Sequence, residues 1–275
     1  MEMIQELQIN ELEQYLNNNI DILEKTVNKY GILKSIKNEA DDENLTSDFL
    51  FLCLTKGIRS LKAAHLLAEE GFFEDIFILL RSTYESYLHI SFIKKNPKQI
   101  HKLTTIKMGI RTNQFKHPKN AKGQDIKQKI FHPLTGKEVK VEISIKKMSQ
   151  NTLHKIDEKI HDGLYSYLSE FSHVNIIALG NYVSYKTKKF IIKSEYETKI
   201  FQSIILSLFV SWLLLDVLLS FDELIKEDYE TIQKQVNESG MLIYNYIQIL
   251  EIENEELVNL KNDLLERINN VLNLV

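Results

Sequence analysis

Residues 200–221 are almost all apolar, and a helix of that composition has two physical solutions. It crosses a bilayer, or other helices bury it on every side. Asp216 lies inside the run, and Lys199, Asp222 and Glu223 bound it. A carboxylate at mid-bilayer is costly. The run therefore reads as the central core helix of a soluble protein with no membrane partner. Such a helix needs neighbours, and the rest of the chain supplies them. Only 9 Gly and 3 Pro occur among 275 residues, and Leu, Ile, Lys, Glu and Asn dominate, which favours long helices. The 44% apolar and 26% charged fractions are ordinary globular usage, and the length is ample for a core. The expected fold class is all-α: an antiparallel helical bundle with a small basic β-hairpin insertion.

Periodicity sets the elements. Ile4, Leu7, Ile9, Leu12, Leu16, Ile20, Leu23 and Val27 form a helical stripe over 4–38, with Gly31 as a stop or kink. An acidic linker at 38–44 is expected, then a cap at Thr46, Ser47 and Asp48 that opens a helix over about 47–70, ended by Gly71. A third helix over 72–95 stops before Pro97. Residues 97–112 hold a short helix and 113–127 a loop. A turn at 134–137 precedes the strict alternation of Val139 to Ile145, which signals a strand in a hairpin. Phe190, Ile191 and Ile192 read as a further strand pairing with it. Helices are expected over 149–182, 196–225, 227–250 and 254–273. The domain reading is an N-terminal helix at 1–40, a helical core at 45–226 interrupted by the insertion at 97–147, and C-terminal helices at 227–275. The last of these carries a stripe, Leu250, Leu257, Leu260, Leu264, Ile268 and Leu272, suited to a core or to a dimer seam, so a homo-oligomer is expected.

Charge is unevenly spread. Residues 94–147 hold 15 Lys plus Arg against 3 acids, a surplus of 12, which leaves −16 for the remainder of a chain of net −4. Such a split marks a surface for RNA or another polyanion, or a solvated insertion facing an acidic body. Phe115 and Phe131 lie within it, either stacking bases or anchoring the insertion. The single cysteine, Cys53, sits in an apolar run and reads as core. One thiol and an acidic start without a signal-peptide pattern fit a cytoplasmic location.

The stretch Arg81-Ser82-Thr83-Tyr84-Glu85 is the most informative polar one. On a helix, Phe73, Phe77, Leu80, Tyr84, Tyr87 and Leu88 make an apolar face, with Arg81 and Glu85 four apart at its edge. The pair is either a structural ion pair or a functional one, with Arg81 holding an anion and Glu85 acting as acid, base or orienting group. A second stretch, Tyr165 to Asn175, gathers three serines, two tyrosines, an asparagine and His173. His173 is a candidate general acid or base, or a surface histidine. Other histidines are weaker candidates: His89, His65 six after Arg59, and His154 and His161, whose spacing of seven puts them on one helix face. No metal spacing, glycine-rich phosphate loop or nucleophile elbow occurs, so neither metal nor cofactor is expected.

These residues resemble a broad family of uncharacterised bacterial all-α proteins with R-S-x-x-E on one helix and L-S-x-x-x-H on another. The pattern falls on Arg81, Ser82 and Glu85, and on Leu168, Ser169 and His173. A looser resemblance is to the HEPN superfamily, helical bundles that are often ribonucleases in toxin and anti-phage systems. Arg59 and His65 carry that superfamily's arginine–histidine spacing. The likeness implies metal-independent RNA cleavage, with histidine handling a proton and arginine stabilising phosphate charge. The expected function is a nucleic-acid-directed effector of that kind. Arg81, Glu85 and His173 would be catalytic, with Arg59 and His65 the weaker alternative, and Ser169, Tyr84, Lys116 and Lys119 would bind substrate. The alternative is a non-catalytic helical module that binds a protein or nucleic acid through the basic insertion.

Overall fold

The structure, a computed structural model, describes residues 2–37, 41–131, 136–141, 143–171, 182–184, 186–193 and 197–273. Helix α9 (Glu197–Leu218) is the axis of the molecule. It packs against α1 (Glu2–Tyr30), α3 (Asp42–Glu69), α4 (Phe73–Lys95) and α10 (Lys226–Ile249). Leu208, Phe209, Trp212, Leu213 and Leu214 are fully enclosed, which is why this helix is apolar all round. Residues 200–218 are long and apolar enough to cross a membrane, but 78% of that window is buried inside the protein. Polar groups around α9 are paired. Asn19 Nδ2 donates to Ser211 Oγ at 3.0 Å, Gln235 Nε2 donates to Asn19 Oδ1 at 2.7 Å, and Trp212 Nε1 donates to the Val236 carbonyl at 2.9 Å. Cys53 is buried, as expected.

The α1 stripe ends where expected, at Gly31, but the chain resumes as a separate short helix, α2 (Lys34–Lys37). Helix α3 starts a full turn before its expected cap. The capping side chain is Asp41, which accepts from Asn44 N at 2.8 Å, so residues 42–44 of the expected linker are helix. Ser47 and Asp48 have other work. Ser47 Oγ donates to Glu223 at 2.7 Å, and Asp48 accepts from the backbone N–H groups of Lys34 and Ser35 that open α2. The end of α3 is as read. Gly71 sits at φ +80°, its N–H bonds the Ala68 carbonyl, and Phe72 N–H bonds the Leu67 carbonyl, the pairing of a Schellman cap. Helix α4 then lies along α3 and α9 and stops before Pro97.

The insertion is a small arm with its own apolar centre. Helix α5 (Ile100–Arg111) packs Ile106 against Ile130 and Val141 of a hairpin, with Ile110, Phe115 and Val139 around them. The hairpin pairs β1 (Lys129–Phe131) with β2 (Glu138–Lys140) in antiparallel register. The expected loop between α5 and β1 is ordered. Asn120 Oδ1 accepts from the N–H groups of Lys122 and Gln124, and Lys119 bridges Asp125. Part of the turn expected at 134–137 lies outside the described residues; Gly136, at φ +64°, is within them. The strand expected to reach Ile145 ends at Lys140. Ser144 then accepts from Lys147 N and opens α6 (Ile145–Ser149), because a helix cap there competes successfully with the alternating pattern.

The helix expected over 149–182 is broken. Turns follow α6, then α7 (Asp157–Ile160), a π-helical turn from His161 to Tyr165, and α8 (Ser166–Glu170). Residues 172–181 lie outside the described residues. The strand expected near Phe190 exists as β4 (Lys189–Phe190), but it pairs with β3 (Val183–Ser184) and not with the arm. Helix α11 (Glu255–Leu272) packs on α10, α7 and the π turn. Its stripe residues Leu260, Leu264 and Ile268 are buried within the chain, so this part of the stripe is core, while Leu250, Leu257 and Leu272 are partly exposed. The fold is an all-α bundle with a small hairpin arm, as the sequence implies.

Candidate functional site

Midway along α4, Arg81 and Glu85 stand one turn apart, each about a quarter exposed, with Arg81 Nε 3.2 Å from Glu85 Oε1. A third side chain closes the arrangement. Tyr165, at the end of the π turn, accepts from Arg81 Nη2 at 2.5 Å and donates to Glu85 Oε1 at 3.2 Å. The guanidinium also lies 4.5 Å from the centre of the Tyr165 ring. His161 and Tyr165, the two ends of the π turn, both face α4, where they meet Tyr84 and Arg81; such turns are frequent at functional positions. Burial and the Glu85 charge push the Tyr165 hydroxyl above its ordinary pKa, against Arg81, so it stays protonated and can donate.

Behind Tyr165 lies His161, 5% exposed, its ring 4.6 Å from the Tyr165 ring. Its Nδ1 is buried with no hydrogen-bond partner. Burial lowers its pKa, and Lys146 lowers it further, against the pull of Asp162 and Glu85. The imidazole is thus neutral at neutral pH. Lys146, at the root of the arm, is 3.0 Å from Asp162 and ties the arm to this segment. Tyr84 stacks at 6.3 Å on His161 and at 6.1 Å on Tyr87.

The expected site residues fare differently. Arg81 and Glu85 meet as read. His173 lies outside the described residues. Tyr84 is fully buried and its hydroxyl has no partner, so as a substrate contact it is corrected: it belongs to the wall behind His161. Ser169 is one turn beyond Tyr165 and donates to the Tyr165 carbonyl at 2.5 Å, which commits its hydroxyl to the helix. Lys116 and Lys119 are exposed on the arm. Arg59 and His65 do not converge. Six helical positions put them about 120° apart around α3, and His65 instead faces Glu69 at 3.7 Å. His154 and His161 share no helix face, because His154 sits in a turn and approaches Asp216 at 3.2 Å. Among the described residues no group of His, Cys, Asp and Glu could hold a metal ion.

A second cluster escaped the sequence reading. Arg267 on α11 is fully buried and binds two acids: Asp157 Oδ1 is 3.3 Å from Nε and Asp216 Oδ2 is 2.5 Å from Nη2. Tyr87 donates to Asp157 at 2.7 Å and accepts from Arg267 at 3.2 Å. Burial raises the Asp216 pKa, but Arg267 and His154 outweigh it and hold the carboxylate below its ordinary range. The signal was the acid inside the apolar run, since a buried carboxylate demands a cation. That the cation is Arg267, 51 residues later inside the α11 stripe, could not be read from spacing.

No curated protein and no solved structure matches the chain. A family model described as "Family of unknown function (DUF5677)" matches residues 47–190, more than half of the sequence, and that stretch contains Arg81, Glu85, His161 and Tyr165, so the chain belongs to this family.

Proposed function

We propose that the protein is a nucleic-acid-directed effector that cleaves single-stranded RNA without a metal ion. The observation that carries this is the convergence of Arg81, Glu85 and Tyr165 into one partly exposed ring of charged and hydroxyl groups. In the reaction, the Glu85 carboxylate takes the proton of a 2′-hydroxyl as its oxygen attacks the adjacent phosphorus. The P–O5′ bond breaks, and the leaving oxygen is protonated by an acid, the role expected of His173. Arg81 stabilises charge on the non-bridging oxygens, and Tyr165 orients both partners. The arm supports this substrate class. Phe131 is 42% exposed on a hairpin face that also carries Lys140, Lys129 and the Glu138 paired with Lys129 at 2.8 Å, and the Phe131 N–H is held by the Lys116 carbonyl. An exposed ring among lysines offers a base a stacking surface and the backbone a positive track. Phe115, by contrast, is an anchor in the arm's apolar centre.

A second reading is binding without cleavage. It draws on the fact that Arg81 is already bonded to Glu85 and Tyr165.

The test incubates the full chain with end-labelled single-stranded RNA in EDTA. Wild type is expected to cleave, leaving 2′,3′-cyclic phosphate ends. Glu85→Gln, Arg81→Ala and Tyr165→Phe should each lose about 100-fold or more in rate while melting cooperatively. Salt-dependent binding with no cleavage by any form overturns the enzyme reading in favour of the second.

A further inference from the structure

Like the arm, the β3–β4 hairpin carries an exposed phenylalanine beside lysines, but it lacks an acid such as the Glu138 that faces Phe131 across the arm's strands. Lys188 takes a left-handed conformation at φ 54°, and its N–H bonds the Ser184 carbonyl at 2.7 Å to close the turn. The residues described there carry Lys186, Lys188, Lys189 and Lys193 and no acid. Phe190 is 78% exposed and Ile192 86% exposed, extreme values for such side chains in a folded chain. The end of the hairpin reaches the junction of α3 and α4. Lys193 Nζ lies 3.1 Å from Glu70 and 5.9 Å from the centre of the Phe72 ring, at the start of α4.

Placement gives this meaning. Helix α4 runs from Phe73 to Lys95, about 33 Å. The β3–β4 hairpin docks at its first end, and the arm leaves from its last. Arg81 and Glu85 lie between them. We infer that the β3–β4 hairpin is a second subsite for single-stranded nucleic acid. Phe190 stacks a base and Lys186, Lys188 and Lys189 neutralise phosphates, so that one strand is held on both sides of the Arg81–Glu85–Tyr165 site. This rests on the nucleic-acid reading above. Charge complementarity selects the occupant, since this hairpin and the arm stand out as basic against an acidic body. A lipid surface could also accept a basic tip with exposed apolar residues. A linear polymer, however, explains why an exposed phenylalanine among lysines recurs at both ends of the helix that carries the site. The span fits single-strand site sizes of roughly 4–16 nucleotides.

The test uses a fluorescent 14-nucleotide 2′-O-methyl oligouridine, which lacks the attacking hydroxyl, and the full chain. Phe190→Ala and Phe131→Ala should each weaken binding about 5- to 100-fold. Neutralising Lys186, Lys188 and Lys189 to Gln should flatten the dependence of log affinity on log salt by about 2. Phe190 is exposed, so the thermal melt of its variant should match wild type. Binding weakened by Phe131→Ala but not by Phe190→Ala overturns the second subsite alone. Phosphatidylserine vesicles that sediment wild type but not Phe190→Ala, with oligouridine affinity unchanged, overturn it in favour of a lipid surface. No oligouridine binding by wild type overturns the functional reading as well.

Discussion

At the scale of single residues, the site is defined by what burial does to proton affinity. His161 is enclosed by Tyr84 and Tyr165, and desolvation, the largest influence, holds its pKa below the ordinary value. An unfolded histidine binds its proton at about pH 6.5. Below that pH the unfolded chain holds a proton that the folded chain lacks. Stability contributed by neutral His161 is therefore intact above about pH 6.5 and lost as pH falls toward the folded pKa. Urea midpoints at pH 7.5 and 5.5 check this. The wild-type midpoint should fall by more than that of His161→Gln, since the substitution removes only this residue's share of the slope. Equal falls would mean that the imidazole is not desolvated. At this scale the sequence showed Arg81 and Glu85, because a spacing of four puts two side chains on one helix edge. It did not show Tyr165 as their partner, because a π turn has no helical period to read.

At the scale of elements, legibility tracked the strength of local signals. Helices α4, α10 and α11 lie within a residue or two of their expected bounds, since each has an amphipathic stripe or a clear stop such as Pro97. Helix α3 was misread at its start because Ser47 and Asp48 are good caps in isolation, yet Glu223 and the backbone of α2 engage them from afar. The segment after α6 was misread as one helix because its apolar spacing persists through the turns and the π turn. The arm separates packing from recognition. Phe115 sits in its apolar centre, packed against Gly109 where an added Cβ would come within 2.7 Å of the ring, whereas Phe131 faces solvent. Phe115→Ala should expose arm amides to hydrogen exchange at a rate at least 10-fold higher, leaving α9 amides unchanged. Phe131→Ala should change neither. Faster exchange throughout the chain in Phe115→Ala would show that the arm folds as part of the bundle and not as its own small unit.

At the scale of the whole molecule, one buried cation holds distant parts of the chain together. Arg267 links α11 to α7 through Asp157, to α9 through Asp216 and to α4 through Tyr87, and its guanidinium lies 5.3 Å from the centre of the Trp212 ring. Removing one member of such a cluster strands the others. Arg267→Met strips the guanidinium from two buried carboxylates and leaves Asp157 with no cation, a loss of about 3–5 kcal/mol. Replacing the acids as well, in Arg267→Met with Asp157→Asn and Asp216→Asn, should recover much of that loss, because the cost lies in the uncompensated charge. The pH dependence has a definite sign. Asp216 is held below its ordinary pKa, so its contribution is present above the unfolded value of about 3.9 and is lost as pH falls through that value toward the folded pKa. Melting temperatures from pH 6 to pH 3 should therefore fall more steeply for wild type than for Asp216→Asn. The connection to the site is direct, since Tyr87 stacks on Tyr84 and Tyr84 on His161. Loosening the hub should therefore raise amide exchange in the π turn around Tyr165 as well as in α11. Exchange confined to α11 would show that the ion cluster only fastens the C-terminal helix and does not position the face of α4 on which Arg81 and Glu85 stand.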